Sequence, residues 1–388
     1  MTSLAFRTIP SDRGPLRVLV VGAGRMARVW LRAVLASRDT ELAGVVDRIP
    51  AHAEALVHRL GAPGTPTGHD LAALAAATRP DAVVDVTVPE AHLPVTLAAL
   101  ALGLPVLGEK PVAATVPEAL RLAAAAEAAG ELFMVSQSRR YNRHLDALRD
   151  RAHLLGRPGM LTTDFFRAPR FGGFRETMAH PLLLDMAIHP FDTARWLLDA
   201  DPVSVRCEEY NPPWSWYAGD AAATAVFEMT GGIRYVYNGS WCSGGLETSW
   251  NGAWRLSAEL GSAVWDGEGP PETELHESEG RPLPQAGPES DDGAPEGVAG
   301  ALAEFVHALR TGVTPSGEAH RNVLSLAMVT AAVASARTDR RVHVEALLDE
   351  AMAEALAAAT GPETARLRAW PSVGEALAVT PKGLNRAG

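Results

Sequence analysis

Apolar residues first gather in Arg17–Val21, a largely β-branched run bounded by Pro15 and Gly22; such a run predicts a buried strand. From Met26 to Ser37 the spacing changes to Met26, Val29, Trp30, Ala33 and Val34, which is one face of a helix. The two periods then alternate. Strands are predicted at Leu42–Val46, Ala82–Val86, Pro105–Leu107 and Leu132–Ser136, and helices at Ala51–Leu60, Leu71–Ala77, Leu93–Leu102 and Pro117–Ala129. Short apolar strands separated by helices imply a parallel, doubly wound α/β sheet, here a first domain over residues 15–138.

Beyond that point the rhythm shifts to longer runs of alternating character: Met160–Phe166, Val203–Glu209, Ala222–Met229, Ile233–Ser240, Thr248–Glu259 and Ala263–Asp266. Thr230-Gly231-Gly232 between two of them signals a hairpin. With helices expected at Arg143–Leu155, Pro181–Leu198, Val298–Leu309 and His320–Ala336, residues 139–344 read as a second α/β domain built on a large open, mostly antiparallel sheet. The Pro-, Gly- and acid-rich segment 267–297 reads as an exposed loop, and 345–388 as a helical extension with a polar tail.

Composition narrows the functional classes. The net charge of −11 argues against a nucleic-acid footprint or attachment to an anionic membrane. No apolar run approaches the length of a bilayer span. Met1–Pro15 lacks a secretion pattern, and two cysteines, Cys207 and Cys242, suit a reducing cytoplasm. Of 35 basic residues only Lys110 and Lys382 are lysines, so a lysine inside an apolar segment stands out.

Gly22-Ala23-Gly24-Arg25-Met26-Ala27 joins the first strand to the first helix. This is the G-x-G-x-x-G/A arrangement: one glycine for the tight turn, one to let a pyrophosphate approach the backbone, and a small residue for packing. Asp47 ends the second strand, where a carboxylate takes the adenosine ribose hydroxyls and repels a 2′-phosphate. That favours NAD, while the adjacent Arg48 leaves room for NADP. Gly108-Glu109-Lys110-Pro111 follows another strand at its carboxyl end, the ligand-binding end of such sheets; a lysine there can stabilise an alkoxide. Asp185 and His189 lie four apart on a predicted helix and share a face. Such a pair is often structural, but it also suits proton transfer. Pro190 should interrupt the helix ladder beside it. Six of nine tryptophans lie between Trp214 and Trp265; Trp216, in the Trp214-Ser-Trp216-Tyr217 stretch, is a candidate for stacking on a sugar face, the alternative being core or interface packing. Arg139, Arg167 and Arg175 are candidate substrate contacts. The histidines show no HExxH or carboxylate cluster, so no metal is expected.

Together, the glycine turn, Glu109-Lys110-Pro111, Arg139-Arg140-Tyr141 and Asp185-x-x-x-His189-x-x-Asp192 resemble the glucose–fructose oxidoreductase/inositol dehydrogenase/MocA (Gfo/Idh/MocA) family from about Arg17 to Val344. The resemblance implies a Rossmann domain, an open-sheet second domain, and NAD(P)-linked oxidation or reduction of a sugar or cyclitol. It also implies a catalytic set of Lys110, Asp185 and His189, with Thr87, Pro89 and His92 in the loop beside the cofactor. The chain departs from the pattern in Ala27, in Pro190 and in the long 267–297 segment.

Two other readings use the same residues: a non-catalytic dinucleotide sensor on this scaffold, and an NAD-dependent enzyme that cleaves glycosides. Finally, Tyr235, Tyr237, Trp241, Trp250 and Trp254 suggest an aromatic outer sheet face. Burial of that face predicts a homodimer or homotetramer.

Overall fold

The computed structural model describes residues 5–276 and 293–378. The chain divides into two compact units. One holds the chain up to Ser138, Pro295–Val323 and the chain from Leu348 onward; the other holds Arg139–Ala294 and Leu324–Leu347.

In the first unit the apolar runs become β1 (Leu16–Val21), β2 (Thr40–Val46), β3 (Thr67–Gly68), β4 (Ala82–Asp85), β5 (Val106–Glu109) and β6 (Phe133–Ser136). They form one sheet in the order β3-β2-β1-β4-β5-β6, parallel throughout. Every residue of β4, β5 and β6 is buried. Helices cover both faces of such a sheet, so these strands carry no polar alternation. The order reverses between β1 and β4, and doubly wound sheets bind ligands at the carboxyl ends of strands at that switch.

Local sequence explains the helix ends. Thr115 caps Val116–Ala129 by accepting from Glu118 N (3.4 Å), and Gly130 stops it in the left-handed region at φ 65°. The helix expected from Leu93 starts at Pro89, because proline is well suited to a first turn that needs no N–H donor. The unit is completed by distant parts of the chain. Gly297–Thr311 packs on Ala27–Ala36, and Glu363–Ala369 packs on Val116–Ala129, where Arg121 pairs with Glu363 at 3.0 Å.

The second unit carries β7 (Pro158–Phe166), β8 (Pro202–Tyr210), β9 (Ala222–Met229), β10 (Arg234–Ser240), β11 (Ala253–Ala258), β12 (Gly261–Trp265), β13 (Glu272–Leu275) and β14 (Val342–His343). Their order is β13-β12-β11-β7-β10-β9-β8-β14. Only β7 and β10 pair in parallel; the other pairs are antiparallel. Alternation along β10 buries Tyr235 and Tyr237. Phe191, from the helix above, meets Phe227, Tyr235 and Tyr237 edge-on at 4.8, 6.1 and 5.3 Å between ring centres.

Three expectations need correction. The run Thr248–Glu259 is a strand only over Ala253–Ala258, because its first residues form a loop tied by Asn251 Nδ2 to Gly267 O (2.8 Å). Within 267–297, Glu272–Leu275 is a strand paired with β12, while 277–292 lies outside the described residues. Most importantly, Tyr235, Tyr237, Trp241 and Trp254 are buried within the unit itself, and only Trp250 is substantially exposed. The opposite sheet face carries Met160, Thr162, Asp164, Val226, Val236 and Asn238, so the aromatic reason for self-association does not hold. The period of two located the aromatic face correctly but could not say which face the helices would cover.

Candidate active site

Two residues of the glycine turn perform different tasks. Gly22 sits at φ 103°, and a side chain there would place its Cβ 2.9 Å from Val86 O, so only glycine fits. Gly24 has open space where a Cβ would stand, which is what backbone approach by a pyrophosphate requires. Ala27 is fully buried against the sheet. Asp47 closes the turn: its Oδ2 accepts from Ala23 N (2.8 Å) and its Oδ1 from Ile49 N (2.9 Å). A carboxylate offers about four acceptor directions, so lone pairs remain for ribose hydroxyls. Beside it an open cleft of about 590 Å³ is lined by Ala23, Gly24, Arg25, Arg28, His52 and Arg59, among others. Arg48 and Met26 are exposed at the same edge. The site fits a dinucleotide.

Across the sheet's switch point, Asp85 at the end of β4 is buried, and burial raises its pKa. It accepts from Thr87 Oγ1 (2.6 Å) and Thr87 N (3.0 Å), which fixes the loop entering Pro89. His92 is buried under that loop; its Nδ1 donates to Pro111 O (2.8 Å), and its Nε2 faces Thr87 O (3.3 Å). One imidazole therefore joins the Thr87 loop to the Lys110–Pro111 turn, whose peptide bond is cis. Glu109, expected near the cofactor, uses its carboxylate within the protein: Oε1 accepts from Trp30 Nε1 (2.7 Å) and Oε2 from Lys110 N (3.1 Å). Lys110 follows on a rigidly held strand end, and its side chain is half-buried.

In the second unit the predicted helix is divided. Leu182–Ala187 is a π-helix and Ile188–Leu198 an α-helix. Pro190 has no N–H for the Met186 carbonyl, and a local change of helical register accommodates the missing bond. Asp185 lies in the π segment and His189 just after it; both are half-buried. Asp185 Oδ2 accepts from Arg175 Nε at 2.5 Å. The Arg175 guanidinium lies over Phe174 and Phe171, 4.8 and 5.4 Å from the ring centres. Sequence alone offered Arg175 as a generic substrate contact; the fold makes it the partner of a candidate catalytic carboxylate.

The remaining candidates are braced by the protein. Arg139 NH1 donates to Asn251 Oδ1 (3.2 Å), and burial lowers its pKa to about 10. Arg167 donates to Thr248 O (2.7 Å), pairs with Glu247 (3.0 Å) and lies over Trp250. Trp216 is half-buried, its ring 3.9 Å from the Arg170 guanidinium. Trp214, by contrast, is 69% exposed and Phe174 66%. Arg140 and Asp192 form a buried bidentate pair (2.6 and 2.7 Å). The Arg139-Arg140-Tyr141 and Asp192 parts of the motif thus meet in one structural clamp.

Residues 16–137 match an oxidoreductase family with an NAD-binding Rossmann fold, and residues 119–264 match the GFO/IDH/MocA C-terminal domain. The chain belongs to the Gfo/Idh/MocA family. As a Gfo/Idh/MocA member it carries its NAD-binding domain first and its open-sheet domain second. It is 34% identical over 193 residues to the rhizopine catabolism protein MocA of Rhizobium meliloti, covering 49% of this chain and 59% of that protein. It is 36% identical over 197 residues to inositol 2-dehydrogenase of Paracoccus denitrificans, covering 49% and 56% respectively. These alignments span little more than half the length of either relative. The fold is also that of the WlbA dehydrogenase from Bordetella pertussis, solved with NADH and UDP-GlcNAcA: TM-score 0.70, 20% identity, 85% of this chain and 98% of that one. Among the described residues no helix is long and apolar enough to cross a membrane.

The fold of this Gfo/Idh/MocA chain also makes a cluster that no local motif signals: His180, Glu209 and Asp220 offer ligand atoms all within 4.8 Å of one another. Gaps of 29 and 11 residues hid it from any local motif.

Proposed function

We propose that this protein is an NAD-dependent dehydrogenase or reductase of a secondary alcohol or ketone on a sugar or cyclitol. The observation that carries the reading is the Asp185 environment: a carboxylate held by Arg175, which itself lies on Phe171 and Phe174, four residues before His189. Exposed rings supply a flat apolar surface for sugar C–H groups, and the carboxylate and imidazole beside them supply polar and proton-transfer chemistry.

Gly22, Gly24, Arg25, Met26, Asp47, Arg48, Thr87 and Pro89, with the backbone at Glu109, would hold the dinucleotide, and the buried His92 braces the Thr87 loop beside it. When bound, NAD accepts or returns the hydride. His189 takes the hydroxyl proton on oxidation and returns it on reduction, the role for which an imidazole near neutral pH is suited. Asp185, fixed by Arg175, orients the substrate hydroxyl. Lys110 places a positive charge at the developing oxyanion. The NAD preference over NADP follows from the Asp47 carboxylate. The free thiols of Cys207 and Cys242 support a cytoplasmic setting for the reaction.

The test is a screen of sugars and cyclitols with NAD, following cofactor reduction, then the same assay on His189→Ala. Turnover should fall by about 10²–10⁴-fold with NAD binding retained. Near-normal turnover in the folded variant removes the base assignment. Released aglycone without net cofactor reduction would identify a glycoside-cleaving enzyme instead.

A further inference from the structure

We propose that His180, Glu209 and Asp220 form a site for a divalent transition-metal ion of the zinc class, which ties the segment leading into the Asp185–His189 helix to strand β8.

The three residues come from separate elements: His180 from the loop before the π segment, Glu209 from the end of β8, and Asp220 from the loop before β9. Backbone contacts bring them together. Asp220 N donates to Ala179 O (2.9 Å) and Ala218 N to Glu176 O (2.8 Å). Between them Gly219 lies so close that a Cβ would fall 2.1 Å from Ala179 O; glycine is needed for this approach, and the approach sets Asp220 beside His180. His180 Nδ1 and Glu209 Oε2 are 2.7 Å apart.

A second observation points to a ligand. The Glu209 side chain is only 2% exposed, and its other oxygen, Oε1, is buried with no hydrogen-bond partner among the described residues. A buried carboxylate oxygen without a partner is unfavourable, because the water it lost on folding is not replaced. A cation coordinated by that carboxylate removes the deficit. Ligand atoms on one ion at about 2.0–2.2 Å stand roughly 3–4 Å apart, so side chains whose ligand atoms already lie within 4.8 Å need only a small rearrangement. One imidazole nitrogen and two carboxylates suit zinc or manganese better than magnesium or calcium, which prefer all-oxygen shells. Three protein ligands leave a position for water.

The Cys207 thiol, two residues before Glu209 on the same strand, also lies near the Glu209 carboxylate. Leu184 N donates to His180 O (3.0 Å), so an ion on His180 would steady the first turn of the helix that carries Asp185.

The experiment is calorimetric titration of the chelator-treated full chain with Zn²⁺, Mn²⁺ and Mg²⁺ at pH 7. One Zn²⁺ or Mn²⁺ per chain should bind, and Mg²⁺ should bind far more weakly. Glu209→Gln and Asp220→Asn should each weaken binding by at least about 10-fold. His307→Ala, at an exposed histidine, should change nothing. If Glu209→Gln fails to fold, Asp220→Asn and the visible spectrum of the Co²⁺-loaded protein decide the matter. Absence of a stoichiometric ion, or unchanged affinity in Asp220→Asn, overturns the proposal. None of these readouts depends on turnover, so the site and the dehydrogenase reading fail separately.

Discussion

Replacing Asp192 by asparagine tests whether the buried pair with Arg140 holds the active helix in place. Asp192 is 1% exposed and Arg140 6%. The carboxylate accepts from Arg140 Nε (2.7 Å) and NH2 (2.6 Å) and from Ser325 Oγ (2.7 Å). Ser325 in turn accepts from Arg195 NH1 (2.9 Å), and Arg195 NH2 reaches Asp201 (2.7 Å). The amide side chain would keep one acceptor, turn an NH₂ toward donors, and remove the carboxylate charge that faces the buried guanidinium. Losing one partner of such a pair costs about 3–5 kcal/mol, against a total stability on the order of 5–15 kcal/mol. For a unit of this size that is a fall in Tm of roughly 6–20 °C, measurable by calorimetry or near-UV circular dichroism at pH 7. Asp192 lies one turn beyond His189, so turnover should fall as well. The companion variant Arg140→Leu/Asp192→Leu removes both charges and should recover most of the loss. A cost below about 1 kcal/mol for Asp192→Asn, or a double variant worse than the single one, would refute the reasoning.

The cofactor turn gives a paired expectation. Gly22→Ala should lower both Tm and NAD affinity, because its Cβ meets Val86 O and its φ is positive, whereas Gly24→Ala should leave the Tm of the NAD-free protein unchanged and weaken NAD binding alone, as read by fluorescence titration. Asp47→Ser should shift the NAD/NADP preference toward NADP by about 10-fold or more, since a carboxylate within a few ångströms of a phosphate is worth about 1–4 kcal/mol; an NADP preference in the unaltered protein would show that Arg48 dominates. His320 gives a pH expectation. Burial disfavours its charge, but the Glu318 and Glu127 carboxylates at 2.8 and 2.7 Å outweigh that and hold its pKa at about 9. A raised histidine pKa stabilises the fold fully below the unfolded value of about 6.5 and loses that contribution as pH rises to about 9, a change of about 3 kcal/mol. Denaturant titrations should show the loss, and His320→Gln should flatten it.

Much of the first unit was legible in the chain because its information is local. Continuous apolar strands, Thr115 and Gly130 at helix ends, and the Gly22–Ala27 turn each act within a few residues, and the parallel sheet follows from their alternation. β3 escaped notice because two residues carry no period. The disruption at Pro190 was also readable, since a proline cannot supply the N–H that the helix ladder needs there. What the chain could not declare were partners far apart in sequence. Period-two patterning located the aromatic face of β10 but not the helix Ile188–Leu198 that covers it, and so misdirected the reasoning on self-association. Arg175 could be recognised as the partner of Asp185, Arg140 as that of Asp192, and His180 as the neighbour of Glu209 and Asp220 only after folding. Those pairings depend on the register between elements, which is decided by packing and by close approaches such as that at Gly219, and not by the residues on either side.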